Sequence, residues 1–308
     1  MVGVLLAVYN GEKYLSEQID SLLNQTADEI KIIIRDDGST DSSANIIKKY
    51  VEKYPNKMQL VDGKPTGSAS KNFAELLSAC DDGFDYIMFC DQDDVWLPEK
   101  IENTLKAMKK AEGENSDKPV LVHTDLKVVD GSLNTICDSF FGFQKLIQDN
   151  ITLPKLLVQN YVTGCTVMIN RALKQKCGKI PNDCIMHDWW LALVAVIFGE
   201  LVCLNEPTML YRQHDNNQVG AKASYGIGYI KRKLATLDEV RKNYNATYNQ
   251  AQSLLKCYKG LLNKDQIELI QKYCEMSKMG KLKKIKTIEK YGFKKGTKLR
   301  IFGQYILM

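Results

Sequence analysis

Four short apolar runs in the first hundred residues, separated by segments of helical spacing, constrain the fold most. The runs are Val2–Val8, Ile30–Ile34, Met58–Val61 and Tyr86–Cys90. Continuous runs of this length are typical of strands that are buried on both faces of a parallel sheet. The segments between them repeat apolar residues at helical intervals, as do Ile19, Leu22 and Leu23. The alternation predicts an α/β protein with an open, mostly parallel sheet flanked by helices, which binds ligands beyond the carboxyl ends of its strands.

The second half is less regular and is predicted to close the same sheet. Predicted strands are Val120–His123, Val162–Asn170, Leu201–Leu204 and Thr208–Tyr211, and the predicted helix is Trp189–Phe198. From about Ser224 the helical spacing continues without strands. We therefore expect a sheet-containing body over residues 1–220 and a helical, basic C-terminal region over 221–308.

The C-terminal region has a large excess of positive over negative charge. The chain has a net charge of +5, yet residues 272–308 hold 11 Lys and Arg against Glu275 and Glu289. Lysines alternate there with apolar residues, which favours peripheral contact with an anionic membrane surface. Packing of this tail on the chain's own body is the second alternative. Nucleic acid ranks third, and we expect no nucleic-acid partner, because no zinc knuckle, helix-turn-helix or aromatic RNP-like strand accompanies the charge.

Cysteine usage and the N-terminus indicate the compartment. The nine cysteines contain no C-x-x-C pair, which argues against a zinc site or a disulfide framework. The N-terminal apolar run ends at Asn10 and has no basic segment before it, so it predicts a strand rather than a signal peptide. The longest apolar stretch, 189–204, is interrupted by Glu200 and is too short to span a bilayer. A cytoplasmic protein is expected.

Two acidic clusters follow predicted strands. Asp36-Asp37-Gly38-Ser39 follows the second strand and Asp91-Gln92-Asp93-Asp94 follows the fourth. Carboxylates two residues apart in an extended loop can hold Mg²⁺ or Mn²⁺ beside a diphosphate, and a carboxylate in the first cluster can accept hydrogen bonds from a nucleoside. Taken singly, a turn explains the first cluster and a helix N-terminus the second. Taken together, they predict a site for an activated nucleotide donor.

Motifs in a fixed order identify a family resemblance. AVYNG at 7–11, DDGSTD at 36–41, Lys71-Asn72 and DQDD at 91–94 resemble glycosyltransferase family 2. TGC at 163–165, HDWW at 187–190 and YRQH at 211–214 resemble its bacterial rhamnosyltransferase-like members. The resemblance implies a GT-A fold, with a nucleotide-sugar-binding half over 1–100 and an acceptor-binding half over 101–220.

The resemblance also implies residue roles. It assigns nucleotide-sugar binding to Ala7, Tyr9, Asp36 and Asp91. The charges of Lys71 and Arg212 suit them to bind the same donor by neutralising its leaving diphosphate. The resemblance assigns Mg²⁺ or Mn²⁺ to Asp93 and His214, and acceptor contacts to Gly164, Cys165, Trp189 and Trp190. Family members of this kind invert the anomeric centre, which makes Asp188 the base that deprotonates the acceptor hydroxyl.

Several of these roles have structural alternatives. A helix N-cap is the alternative for Asp188, and a surface loop is the alternative for His214. His123 is expected to be structural. The family more often has Glu-Asp where this chain has His187-Asp188, which leaves the role of His187 open.

The expected activity is transfer of one sugar, with rhamnose suggested by resemblance, from a nucleoside diphosphate to a hydroxyl of a cell-surface glycan or lipid-linked precursor at the inner membrane face. The absence of a Q-x-x-R-W string favours single transfer over polymer synthesis. A non-catalytic sugar-nucleotide or glycan-binding protein with the same fold is the alternative. A nucleotidylyltransferase and a Rossmann oxidoreductase are disfavoured, because Tyr9-Asn10-Gly11-Glu12 is neither a basic glycine-rich loop nor part of a G-x-G-x-x-G motif.

Overall fold

The structure is a computed structural model that describes residues 1–80, 83–214 and 237–308. The alternation predicted for the first hundred residues is confirmed. The elements there are β1 (Val2–Val8), α1 (Leu15–Leu23), β2 (Ile30–Asp36), α2 (Ser43–Lys53), β3 (Met58–Leu60), α3 (Ala69–Ala79), β4 (Tyr86–Cys90) and β5 (Val95–Trp96). The next are α4 (Lys100–Glu112), β6 (Val120–Val129), β7 (Thr135–Cys137), α5 (Phe140–Gln144), α6 (Leu153–Val158), β8 (Met168–Asn170), α7 (Arg171–Cys177), α8 (His187–Phe198) and β9 (Glu200–Arg212).

These nine strands form one mixed sheet. Its order is β3-β2-β1-β4-β8-β6-β9-β5, and β7 pairs with β6. The four strands of the first half are parallel, as are β6 and β9, whereas β8 runs antiparallel to both β4 and β6. β8 thus joins the two parallel sections into the continuous, mostly parallel mixed sheet that the sequence predicts.

Helices cover both faces of the sheet. Leu5 and Ala7 of β1 belong to one buried cluster, and Val4, Leu6 and Val8 belong to the other. This alternation explains why β1 reads as a continuous apolar run, since both sets of side chains are removed from water. Burial of each such Val or Leu contributes about 1.5–3 kcal/mol relative to exposure. The sheet thereby holds its polar strand ends in fixed positions.

Two predictions for the second half are corrected in detail. Only Met168–Asn170 of the predicted strand 162–170 is a strand, because Gly164–Thr166 forms a 3₁₀ turn. The two predicted closing strands are one long strand, β9, whose pairing with β6 is irregular near Pro207. The proline breaks the sequence pattern without ending the strand.

The predicted C-terminal helices are present. They are α9 (Leu237–Tyr258), α10 (Lys264–Glu275), α11 (Lys281–Tyr291) and α12 (Lys298–Leu307). Tyr273 and Phe293 are fully buried, 5.0 Å apart between ring centroids, in the same cluster as Leu5 of β1. The tail therefore packs on the body, which was the second of the sequence-based alternatives. The predicted boundary at 220/221 lies outside the described residues.

Among the described helices, none combines the length and the apolar character that crossing a membrane requires.

Candidate active site

A cavity of about 1030 Å³ opens where β1, β2 and β4 end, and it extends to the start of α8 and to the C-terminal helices. Four carboxylates line it: Asp37, Asp91, Asp93 and Asp188. Its volume is at the upper end of the range that small-molecule sites occupy, about 300–1,000 Å³. Two substrates side by side therefore fit the space better than one.

The loop after β1 is tied to the acidic loop after β4. The backbone N–H of Tyr9 donates to Gln92 Oε1 at 2.6 Å, and Gln92 Nε2 donates to the Tyr9 carbonyl at 2.8 Å. A Cβ on Gly11 would lie 2.6 Å from the Gln92 side chain, so a larger residue there would displace Gln92 from these hydrogen bonds. The AVYNG and DQDD motifs therefore build one wall of the cavity together.

In the DDGSTD motif, the structure places Asp37 rather than Asp36 on the cavity wall. Asp36 accepts hydrogen bonds from the backbone and hydroxyl of Ser39, which shapes the turn. Asp37 pairs with the buried Arg35 guanidinium at 2.9 Å. Burial alone would raise the pKa of Asp37, but hydrogen bonds from Thr66, Arg35 and Gly67 hold it below its ordinary value. Asp37 is thus a fixed anion at the end of β2.

The acidic loop after β4 is held against the end of β9. Asp93 Oδ2 lies 2.8 Å from His214 Nε2, and the buried Asp94 Oδ1 accepts the Arg212 backbone N–H at 3.1 Å. Since α4 begins at Lys100, the interpretation of this cluster as a helix N-terminus is wrong. The loop brings a carboxylate and an imidazole together at the cavity edge.

Three further side chains of types that bind metals lie close together near this loop. Ligand atoms of Asp91, Asp94 and Cys165 lie within 4.8 Å of one another. Burial raises the pKa of all three groups. A protonated thiol is a poor metal ligand, and Asp94 and Cys165 are completely buried beside each other. Asp93 with His214 is therefore the better-placed donor pair for a cation that contacts a substrate.

Asp188 is the second residue of α8 and is 5 % exposed. Its Oδ2 accepts from Asn160 Nδ2 at 3.2 Å, and its Oδ1 accepts from the Trp189 backbone N–H at 2.7 Å. Burial raises the pKa of this carboxyl to about 6. The N-cap position is Met186, so the N-cap interpretation of Asp188 is wrong.

Neither ring nitrogen of His187, the residue before Asp188, has a hydrogen-bond partner among the described residues. Its ring is 4.2 Å from that of Phe73 and 4.9 Å from that of Phe89, between centroids. Burial lowers its pKa to about 3, which keeps the imidazole neutral. A Cβ on Gly164 would lie 2.9 Å from His187 Nε2. The glycine of the TGC motif is thus required by close contact with His187.

Comparison with known proteins identifies the family. Residues 3–172 match the family model of Glycosyl transferase family 2. The chain belongs to this family. The chain is 31% identical over 256 residues to a dTDP-rhamnosyl transferase of Shigella flexneri, covering 79% of this chain and 83% of that one. An uncharacterised glycosyltransferase of Nostoc sp. is 28% identical over 232 residues, covering 72% and 68%.

Solved structures share the GT-A fold. Staphylococcus aureus TarS 1–349 in complex with UDP-GlcNAc aligns with a TM-score of 0.59 at 15% identity, over 94% of this chain and 73% of that chain. A mannosyltransferase from Pyrobaculum calidifontis in complex with GDP-Man and Mn²⁺ aligns with a TM-score of 0.50 at 13% identity, over 94% and 84%. Family and fold together establish a glycosyltransferase, so the nucleotidylyltransferase and oxidoreductase alternatives are wrong.

Most residues that the sequence assigns to this glycosyltransferase's site meet at one cavity. Those that line it are Ala7, Tyr9, Asp91, Asp93, Gly164, Asp188 and Trp189. Trp189 is held in place by donating from Nε1 to the Leu156 carbonyl at 2.6 Å. His214 reaches the site through its hydrogen bond to Asp93. His123 is fully buried in the core, in keeping with its expected structural role.

The structure places four further assigned residues off the cavity wall. Trp190 is fully buried against Tyr258 and cannot stack on an acceptor, and Cys165 lies below the cavity. The Arg212 guanidinium donates to the carbonyls of Asp93 and Gly131 and to Glu17, so it braces the acidic loop instead of facing a diphosphate. Lys71 is exposed on α3 and does not line the cavity.

Sequence reasoning missed several residues of the wall. These are Asp37, Asn72, Asn160, Tyr161, Tyr244, Lys295, Arg300 and Gln304. Asp37 lies in the DDGSTD motif and Asn72 in the Lys71-Asn72 pair. In each, the sequence favours the adjacent residue, Asp36 or Lys71. The last four come from the C-terminal region, whose contribution depends on tertiary packing and leaves no local signal.

Proposed function

We propose that this glycosyltransferase transfers one sugar from a nucleoside diphosphate to an acceptor hydroxyl with inversion at the anomeric carbon. One observation carries the proposal: a single cavity joins the acidic strand ends to the recessed carboxylate of Asp188. A donor at the strand ends and an acceptor near Asp188 would share this space. The GT-A fold supports placing the donor at the strand ends of the cavity. The recessed position of Asp188 supports placing the acceptor hydroxyl beside it.

Asp188 acts as the general base. A pKa of about 6 keeps the carboxyl ionised at neutral pH while leaving it a stronger base than an exposed carboxylate. Its carboxylate takes the acceptor's hydroxyl proton, the oxygen forms a bond to the anomeric carbon, and the bond to the diphosphate breaks. Asn160 orients the base through its hydrogen bond to Oδ2.

Asp93 and His214 are the residues that would hold Mg²⁺ or Mn²⁺. Their donor atoms, a carboxylate oxygen and an imidazole nitrogen 2.8 Å apart, form a set that fits such a cation. When bound, the cation supplies positive charge that stabilises the departing diphosphate. The Mn²⁺ in the complex of the Pyrobaculum calidifontis mannosyltransferase supports a divalent cation in this site.

The donor proposed is dTDP-rhamnose, because the Shigella relative is named a dTDP-rhamnosyl transferase. Calorimetric titration with dTDP, UDP and GDP, each with Mn²⁺ and with EDTA, tests this. Tight binding of dTDP that EDTA abolishes is the expected result. Preference for UDP or GDP would overturn the donor, and binding without transfer to any acceptor would favour a non-catalytic protein.

A peripheral location at an anionic membrane surface is proposed for the C-terminal region. Leu282 on α11 and Phe302 on α12 are 79% and 58% exposed, among exposed lysines that include Lys283 and Lys298. Exposed apolar residues ringed by lysines suit such a surface. Co-sedimentation with vesicles of anionic lipid, and not with zwitterionic vesicles, is expected. Equal recovery with both would contradict it.

A further inference from the structure

The function proposed above leaves His187 of the HDWW motif without a role. This residue lines the cavity and precedes Asp188 at the start of α8, yet only 1% of its surface is exposed. Its ring centroid is 4.2 Å from that of Phe73 in α3 and 4.9 Å from that of Phe89 in β4. The first residue of α8 is therefore packed against a helix and a strand from the first hundred residues of the chain.

Packing, and not hydrogen bonding, holds this ring. Both ring nitrogens of His187 are buried, and neither has a hydrogen-bond partner among residues 1–80, 83–214 and 237–308. A Cβ on Gly164 would lie 2.9 Å from Nε2, so the TGC turn closes a third side of the ring. Burial keeps the imidazole neutral by lowering its pKa to about 3. A neutral ring with these contacts acts on its surroundings through its volume and shape.

The helix that packs on His187 also reaches the end of β2. Asn72 precedes Phe73 in α3, and its Oδ1 accepts from Arg35 Nη1 at 2.7 Å. The same Nη1 donates to Asp37 at 2.9 Å. Asn72 and Asp37 both line the cavity, and all three side chains are buried. A continuous row of buried contacts thus connects the anion at the end of β2 with the ring beside the proposed base.

The position of Asp188 relative to the strand ends decides whether the proposed reaction can proceed. A general base must lie about 2.6–3.2 Å from the atom that carries the proton, and a misplacement of about 1 Å can cost on the order of 10²-fold in rate. Asn160 orients the Asp188 carboxylate through its hydrogen bond. The contacts of the His187 ring with Phe73 and Phe89 fix the backbone that carries this carboxylate, because His187 and Asp188 are adjacent.

Resting on the proposed function, we propose that His187 is a positioning residue. Its ring, packed against Phe73 and Phe89, fixes Asp188 relative to a donor bound at the strand ends. This role depends on the volume and shape of the side chain at position 187 and not on its ring nitrogens.

The test compares three substitutions of His187. His187→Ala removes the ring, whereas His187→Leu and His187→Asn both branch at Cγ and differ from each other mainly in polarity. Turnover is followed as dTDP released from dTDP-rhamnose, with Mn²⁺ and with a glycolipid extract of bacterial cell envelopes as acceptor. His123→Ala is the control, because His123 is also fully buried, with neither ring nitrogen paired among the described residues, but does not line the cavity.

His187→Ala is expected to lower kcat about tenfold or more, while the KM for the donor and the Kd for dTDP stay within about twofold. His187→Leu recovers most of the lost kcat because it fills most of the space, and His187→Asn recovers less. His123→Ala lowers the unfolding temperature by a similar amount but leaves kcat within about twofold.

Three results would overturn the proposal: an unchanged kcat in His187→Ala, an equal loss of kcat in His123→Ala, or recovery of kcat by asparagine and not by leucine. Asp188→Asn in the same assay tests the proposed function separately. If Asp188→Asn loses turnover while His187→Ala keeps it, only the positioning role is wrong. If Asp188→Asn keeps wild-type turnover, the proposed base is wrong and the positioning role with it.

Discussion

Asp93 and His214 lie 121 residues apart in the chain, yet their side chains are hydrogen-bonded at 2.8 Å. The contact depends on β9, which runs antiparallel to β5 and ends at Arg212 next to the acidic loop. Both side chains are largely buried, with 15% and 17% of their surface exposed. The pair is therefore built by the sheet rather than by a mobile loop.

His214→Ala and Asp93→Asn should each lower sugar transfer by on the order of 10²-fold or more, because each removes a proposed cation ligand. Transfer rates measured against Mn²⁺ concentration check this, and the cation requirement should shift to higher concentration. Asp138→Asn is the control, since that carboxylate is 82% exposed and does not line the cavity. Unchanged Mn²⁺ dependence in both variants would show that Asp93 and His214 do not bind the cation.

Asp188→Asn should abolish most transfer while leaving nucleotide binding intact, because the amide cannot take the acceptor proton. In the wild type, kcat/KM should rise with pH up to about 6 and then level off, since only the ionised carboxylate is active. A pH–rate profile checks this. A flat profile from pH 5 to 8 would contradict the role of Asp188.

The same substitution should stabilise the fold. Burial raises the pKa of Asp188 from 3.8 to about 6, so the penalty for ionising it in the folded state builds up between these values as pH rises. Asp188→Asn should increase the free energy of unfolding by about 1–3 kcal/mol at pH 8 and by little at pH 4. Urea denaturation at both pH values measures this. If the change in stability were the same at both pH values, ionisation of the Asp188 carboxyl would not destabilise the folded protein.

Gly164→Ala should displace His187, because the new Cβ would lie 2.9 Å from its Nε2. We expect a loss of about 1–3 kcal/mol in stability and a lower kcat, since Asp188 is the next residue. Gly260→Ala, where the Cβ meets nothing within 4 Å, is the matched control. His187→Ala in the Gly164→Ala background should recover part of the stability, and additive losses in this double-mutant cycle would refute the contact.

Arg212→Lys should destabilise the protein even without substrate, because one ammonium cannot replace a guanidinium that donates to Asp93, Gly131 and Glu17. The expected loss is about 2–4 kcal/mol. Thermal unfolding measures it, and titration with nucleoside mono- and diphosphate provides a second readout. If stability were unchanged and only diphosphate binding weakened, Arg212 would contact the donor as the sequence suggested.

The fold of the nucleotide-sugar-binding half can be predicted from the sequence because its signals are local. Strand β1 is buried on both faces and reads as a continuous apolar run, and the DQDD motif follows directly on β4. Strand β8 is only three residues long and antiparallel, so its apolar run could not be divided from the turn at Gly164. The orientations of Trp190 and Arg212 depend on packing against Tyr258 and Glu17, which are distant in sequence.

Phe293 of the C-terminal region and Leu5 of β1 are buried in one cluster, which limits where this protein can be divided. The family match ends at residue 172, but the apolar interior continues through the last helices. A fragment cut at the end of the match would lack α8, β9 and the C-terminal helices, and would leave the apolar surface of α6 that they cover open to water. The segment recognised by homology and the segment able to fold cooperatively therefore differ in length, and expression trials should use all 308 residues.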